Sequence, residues 1–499
     1  MRSPDGRSPA TGTMATARVR VQQAQAAVLA LSDDPTVPSL AAFERQLWTL
    51  LLALGRALVA LYLVRQTGHP RRTTYAWAGA VWTETGTYAA AVATRFGKVL
   101  WVRPVAQRLD GCAYDRPVDR AVGLCGGASL GVIVQVAYLC ARLAFVPARE
   151  VFATTHEWRP SQDMTLRIVD AVGALARPFL EQAAVPPDDG EVLVIEVDSR
   201  GAPMIGPEEM ARRRQPRRRA RGAKRERRRA HRRAHPRPRR APGQKSKNAK
   251  GAVVGVIYTL RRTADGWEGP VNKRVYATFA GHEALFTWLA REARRRGYGR
   301  KPTLFLADGA RAIWDRQQRF FPRAAVCLDW FHVVEKLWAA GTCLHREGSV
   351  ALRTWVEAQK ARLRRGHGAA VVRELRAAWR AIPKTGPGTK AKRTRLKRIW
   401  QFLHRHRARL NYARFLAQGW DIGTGAAEGA VRNLVELRLD GPGMRWGRER
   451  SEHVLHLRCV LLSGLWDDFA TFLDGHPKLT LAAHPMPATP YRAKSKKAA

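Results

Sequence analysis

Three carboxylates at the ends of apolar segments are the first residues in this chain with a chemical meaning. Asp198 closes the apolar text "EVLVIEVDSRG", Asp308 closes "PTLFLADG", and Glu428 lies in "GTGAAEGAVRNLVELRL". Strand alternation puts Val192, Val194, Glu196 and Asp198 on one face of the first segment, with Leu193, Ile195 and Val197 on the other. Asp198 is therefore the polar end of an otherwise buried strand. Asp308 ends its own strand in the same manner, and Gly309 permits a tight exit into the next helix. If the two strands are neighbours, their carboxylates meet at one edge of a sheet. Glu428 follows a Gly-rich entry to a helix, on which Arg432 and Val435 or Glu436 share its face. Three carboxylates converging in this way can hold two divalent ions roughly 4 Å apart. Hard oxygen donors suit Mg²⁺ or Mn²⁺ and not zinc. One ion would activate a water or a 3′-hydroxyl and the other would stabilise the leaving oxygen, which is phosphodiester chemistry. A lone strand-end aspartate is commonly a helix cap, and for Asp308 by itself both readings stand.

The elements that must position these groups follow one another in a definite order. Residues 251 to 262 ("GAVVGVIYTLRR") and 273 to 281 ("KRVYATFAG") read as the two strands after the first. A helix ("HEALFTWLAREARRRG"), the Asp308 strand, a second helix ("ARAIWDRQQRFF") and the strand of "AVCLDWFHVV" complete the set. Three strands, then helix, strand, helix, strand describe an α/β fold with a mixed sheet, and the order matches a ribonuclease H-like core. The N-terminal part has another texture. "LAAFERQLWTLLLALGRALVALYLVRQ" is an amphipathic helix, residues 74 to 108 read as a small hairpin unit, and two or three helices follow from 129 to 182. Within them, "PAREVFATTHEWRPSQDMTLRIVDAVG" has two helical patterns about a polar turn, as a helix-turn-helix or an ordinary helical hairpin would.

Charge narrows the substrate. The 499 residues carry 87 Lys and Arg against 41 Asp and Glu, a formal net charge of +46. A cation of that size attracts polyanions, of which nucleic acid is the commonest that a soluble protein meets. Residues 211 to 250 alone hold 20 Lys and Arg against the single acid Glu226. Self-repulsion and prolines make this Arg-rich insertion a disordered arm that binds phosphates without reading sequence; the bland alternative is a solvated charge run. The apolar run "SLGVIVQVAYLCARLAFV" is broken by Gln135 and Arg142 and reads as a buried helix and not a span. The first residues lack the apolar core of a signal peptide. A cytoplasmic, nucleoid-associated protein is expected, with no membrane partner. Six scattered cysteines show no disulfide framework. Cys112 and Cys125 are at most the remnant of a zinc knuckle, whose other two ligands are not in view.

The segments "EVDSRG", "LFLADGARAIW", "CLDWFHVVEKLW" and "AAEGAVRNLVELRLDGPGMRW" together resemble the DDE transposases of bacterial insertion sequences, specifically the Kra-type group, which is distantly similar to mutator-like transposases. The resemblance covers residues 191 to 460 and, more loosely, the helical N-terminal part. It implies Asp198, Asp308 and Glu428 as catalytic metal ligands, and it matches Asp329 and His332 to an Asp/Cys-x-x-His signature. These two are then expected on the strand beside Asp308, close to the metals without binding them, where they orient the scissile strand or a flipped base. A capping aspartate with a satisfied core histidine is the plainer reading. Trp314, Trp330 and Trp338 read as core, whereas Arg445 and Trp446 in "GPGMRWG" present a phosphate contact and a stacking surface for DNA, with Arg432 as a further DNA contact.

The implied function is a transposase that binds terminal inverted repeats of double-stranded DNA, cuts 3′ ends and joins them to target DNA, acting as a dimer or higher assembly. A silent DNA-binding descendant of such an enzyme, or an RNA-binding protein with a basic arm, are the alternatives. The expected layout is a loose arm (1–36), a mostly helical DNA-binding region (37–185), a catalytic core (190–345) interrupted by the Arg-rich insertion (205–250), a helical insertion (346–417), the last part of the core with the glutamate (418–475), and a basic tail (476–499). The insertion is longer than the family pattern suggests, and the segment 112 to 125 lacks the tidy ligand pairs some relatives carry.

Overall fold

The structure, a computed structural model, describes residues 8–10, 13–69, 71–206, 249–441 and 444–481. Most of the Arg-rich insertion and of the basic tail therefore lies outside the described residues. The chain divides into two compact units, residues 1–176 with 466–499, and residues 177–465.

The first unit is a mixed α/β body. Helices α1 (Met14–Ser32) and α2 (Leu40–Gly68) start at Thr13 and Ser39, whose side chains accept from backbone N–H groups three residues on. The region read as a small hairpin is larger. Strands β3 (Ala80–Thr94) and β4 (Gly97–Arg108) pair antiparallel along their whole length, and β1 (Ser8–Ala10), β2 (Thr74–Trp77) and β5 (Tyr114–Asp115) complete a five-stranded sheet. Among the described residues α2 alone is long and apolar enough to cross a membrane by length and composition. Its Ala60 and Leu63 pack with Val92, Val99 and Trp101 of the sheet. Beside them, Arg103 is buried and pairs with Asp119 in α3 (Pro117–Ala121), its Nη2 lying 2.9 Å from the carboxylate. The run read as a buried helix is α4 (Leu130–Arg142), and the two patterns about a polar turn are α5 (Phe145–His156) and α6 (Gln162–Gln182).

The second unit carries the candidate chemistry. Its strands are β6 (Val192–Ala202), β7 (Lys250–Thr263), β8 (Gly266–Thr278), β9 (Thr303–Ala307) and β10 (Ala325–Leu328), in the spatial order β10-β9-β6-β7-β8. Neighbours β6, β9 and β10 run parallel, whereas β7 and β8 return antiparallel. Residues 192–197 and 303–307 are buried without alternation, as strands covered on both faces must be. The third strand begins earlier than the segment 273 to 281, because "GWEGPVN" continues the hairpin out to the Thr263–Gly266 pair.

Helix α7 (His282–Arg295) covers the face that bears Val197 and Gly255. A Cβ on Gly255 would stand 2.9 Å from Leu285, so this glycine is what allows the helix to approach so closely. Helix α8 (Arg311–Phe320) follows β9 and packs beside α7. After β10 comes α9 (Trp330–Leu344), on which α10 (Val350–Arg364), α11 (Gly368–Ala381), α12 (Thr389–Arg405) and the short α13 (Tyr412–Ala417) build a helical cluster around Val356, Leu375 and Leu403. The Tyr412 hydroxyl, wholly buried, donates to the carbonyl of Leu328 at 2.9 Å and ties this cluster back to β10. Helix α14 (Gly425–Val431) then covers the other face of β6 and runs on through a π-helical turn, Arg432–Glu436, to α15 (Leu437–Leu439). Helix α16 (Arg448–Leu462) packs on β8.

Candidate active site

The three parallel strands deliver three aspartates to one edge. Val197 pairs with Ala307, and Ala307 pairs with Leu328, so Asp198, Asp308 and Asp329 are each the next residue along, at one level across β6, β9 and β10. The Asp329 N–H donates to the Ala307 carbonyl at 2.9 Å, which extends the ladder by one step. The Asp308 backbone is fixed as well. Its carbonyl accepts from Trp314 Nε1 at 2.7 Å, and its carboxylate from the Ala310 N–H at 2.8 Å.

Asp329 and His332 do not both lie on the strand, contrary to the expectation. The strand ends at Leu328 because the Asp329 side chain takes the N–H of His332 at 2.7 Å and so caps α9, leaving His332 in the first helical turn. Asp329 is fully buried, and both its oxygens are engaged. One accepts the Thr424 N–H at 2.7 Å, while the other also accepts His332 Nδ1 at 2.6 Å. The capping reading and the functional reading thus describe one residue. Burial pushes the Asp329 carboxyl up, but the hydrogen bonds from His332 and Thr424 outweigh it and hold the group below its ordinary range. The bond to Asp329 raises His332 to about 9 against its own burial, helped by the negative charge of Asp329, Asp308 and Asp198.

Glu428 joins this group from α14. A ligand atom from each of Asp329, His332 and Glu428 lies within 4.8 Å of the others, a spacing at which they can hold a metal ion. Glu428 is exposed, and burial together with the charge of Asp329 raises its carboxyl. Asp198 is raised by burial and by Asp308, while the Ser199 N–H opposes the shift at 2.6 Å. Asp198 and Glu428, each raised in part by neighbouring negative charge, belong to a site that favours a cation.

Glu196 is the residue the sequence reading passed over. It is buried on the same face of β6 as Asp198 and accepts the Tyr258 hydroxyl at 2.8 Å and the Ala427 N–H at 2.7 Å. Burial is the main reason its carboxyl is pushed up to about 7, and Asp421 and Asp329 add to it. The bond to Ala427 fastens the first turn of α14, one residue before Glu428, to the strand that carries Asp198. Its signal in the sequence was a second acid two residues before Asp198 on the same strand face.

The remaining expected residues divide. Trp446 is not a stacking surface, because it is buried, donates from Nε1 to the Leu439 carbonyl at 3.0 Å and lies under the Arg438 guanidinium. Arg445 beside it is exposed. Arg432 is exposed one turn after Glu428, but the π-helical turn that starts there breaks the helical period, so Val435 is buried and Glu436 pairs with Arg200 at 2.7 Å. Trp314 and Trp330 are core, whereas Trp338 is partly exposed. Cys112 and Cys125 belong to no group of metal-capable side chains among the described residues.

The chain matches no protein-family model and no curated protein. Among solved structures it is similar to the "Drosophila P element transposase strand transfer complex", at 10% identity and a TM-score of 0.22, over 67% of this chain and 79% of that one.

Proposed function

We propose that this chain is a DDE-type DNA transposase with a ribonuclease H-like core, acting on the ends of its own element. The observation that carries the reading is the row of Asp198, Asp308 and Asp329 at one level across three parallel strands, with Glu428 brought in by a helix. The strand order, in which the first strand lies between the fourth and the second, supports a ribonuclease H-like core. The resemblance in the four segments around these residues supports the insertion-sequence family and its Kra-type group.

The donor set fits a hard divalent cation, because Asp198, Asp308 and Glu428 offer carboxylate oxygens and Asp198 and Glu428 are raised by neighbouring negative charge. Mg²⁺ or Mn²⁺ held there would supply activation of a water or 3′-hydroxyl and neutralise charge at the phosphate. Asp329 lies within metal-binding distance of Glu428, but its oxygens accept the N–H groups of His332 and Thr424 and the His332 ring, and we assign it to positioning. It fixes His332 through Nδ1, which leaves Nε2 to donate to a phosphate oxygen of the scissile strand. Glu196 keeps α14 seated so that Glu428 stays in reach of the aspartates. DNA is the substrate that the net charge favours, and joining two ends calls for at least two copies of the chain.

A cleavage and strand-transfer assay on labelled element-end duplex tests the reading. Nicking by the wild type that requires Mg²⁺ or Mn²⁺, and is lost in Asp308→Asn while DNA binding persists, is the expected result. Full cleavage by Asp308→Asn would sink the assignment. Binding without nicking by both proteins would leave a silent DNA-binding descendant.

A further inference from the structure

Away from the carboxylates, a groove of about 970 Å³ runs between α9 and α12. Four of its lining residues are the cations Lys336, Lys390, Arg395 and Arg398, and none is acidic. Among the described residues no ion pair engages these four, although α10 nearby sets Lys360 against Glu357 at 2.7 Å. A surface that serves solubility alone interleaves both signs, whereas a run of unpaired like charges repels itself.

The spacing puts two of these cations, Arg395 and Arg398, on one track. Ala391, Arg395, Arg398 and Phe402 recur at intervals of three and four, which is one stripe of α12, while Leu396 and Leu403 are buried on its other side. On α9, Lys336 follows His332 by four residues, so the face that carries His332 continues directly into the groove. At the near end Phe402 packs against Gly309, the residue after Asp308, with the Lys336 ammonium 5.5 Å from its ring centre. Phe402 therefore ties one end of the groove to the residue next to Asp308.

We propose that this groove holds the phosphate backbone of the DNA strand whose scissile bond lies among Asp198, Asp308 and Glu428. The proposal rests on the transposase reading and adds the path by which substrate reaches the site. Contacts of this kind hold the strand in place without reading its sequence.

The test is equilibrium binding of the full chain to a labelled DNA duplex of mixed sequence and, in parallel, to a labelled structured RNA, in EDTA, over a range of salt concentration. Each phosphate contact contributes about 0.9 to the slope of log K against log salt. The triple variant Lys390→Gln/Arg395→Gln/Arg398→Gln should lose about 2 to 3 from that slope, whereas Arg395→Lys/Arg398→Lys should keep it. The Arg-rich insertion is common to all three proteins and cancels in the difference. An unchanged slope in the triple variant, with a wild type that binds DNA, overturns the groove proposal and leaves the transposase reading intact. A wild type with no salt-dependent DNA affinity overturns both. A loss confined to structured RNA overturns the choice of DNA.

Discussion

Asp198 and Asp308 stand side by side on neighbouring parallel strands, each one residue beyond the Val197–Ala307 pair. Charge at Asp308 raises the Asp198 carboxyl, so the two repel each other in the absence of a cation. Sites built for binding commonly hold such strain at the expense of stability.

That strain has a measurable consequence. Asp198→Asn should leave the EDTA-treated protein as stable as the wild type or more so. In excess Mn²⁺ the wild type should gain about 2.7 kcal/mol at a hundredfold excess over Kd, and the variant should gain little. Thermal unfolding with and without Mn²⁺ decides it, and an equal rise in both proteins would remove Asp198 from the ligand set.

Asp329 is expected to be costly to remove. Asp329→Ala loses the cap of α9 and strands the N–H groups of His332 and Thr424, for about 2 to 4 kcal/mol by chemical denaturation. Its partner His332 is raised from 6.5 to about 9. A histidine raised on folding stabilises fully below the unfolded value, so this contribution should be complete below pH 6.5 and fade as pH rises toward 9. A nuclear magnetic resonance titration of the His332 ring without metal should report the raised value, and Asp329→Asn should return it toward the ordinary one; a ring that already titrates near 6.5 in the wild type contradicts the hydrogen bond.

Glu196 shows the same sign at lower pH. Its carboxyl rises from 4.5 to about 7 on folding, so its contribution is greatest below pH 4.5 and is lost as pH climbs to 7. Glu196→Gln should flatten stability against pH over that window. Glu196→Ala should strand the Tyr258 hydroxyl and the Ala427 N–H, cost about 2 to 4 kcal/mol, and lower kcat more than it raises KM because Glu428 loses its seating. An unchanged kcat at a temperature where the variant is folded would show that α14 does not need this anchor.

Gly309 and Phe402 can be tested as a pair. A Cβ at Gly309 would collide with the Phe402 ring, so Gly309→Ala should cost about 1 to 3 kcal/mol through overpacking. Phe402→Leu should recover part of that loss. Additive effects in the double-mutant cycle would mean that the two do not touch.

In the first unit, Arg103→Ala leaves the buried Asp119 without its guanidinium and should cost about 3 to 5 kcal/mol. Removing both partners should cost less than the sum of the two single changes, which a denaturation cycle measures directly.

The candidate site was legible in the sequence to the extent that its members obey local rules. Asp198 and Asp308 close apolar strands, and strand alternation and the polar end mark them without any knowledge of neighbours. The Asp329 cap was legible as an alternative, since Asp three residues before an N–H donor is a common helix start. Trp446 was misread because an Arg-Trp pair in a Gly-rich turn looks the same whether its ring faces DNA or the Leu439 carbonyl. The extension of β8 back to Gly266 was missed because a segment with Gly and Pro has little strand character by itself, and pairing with the end of β7 overrides that preference.

By itself the sequence determined the order of strands and helices in the second unit, though not every boundary, together with Asp198 and Asp308 at strand ends and the cationic excess, since period, capping and charge act over a few residues. Only the tertiary structure decided that β6 lies between β7 and β9, and so that Asp198, Asp308 and Asp329 share one level. Register between strands distant in the chain is set by the burial of both sheet faces and by closure of the backbone ladder, and neither is written in any short stretch. The same holds for Glu196, whose partner Ala427 lies 231 residues away and becomes a neighbour only when α14 closes over the sheet.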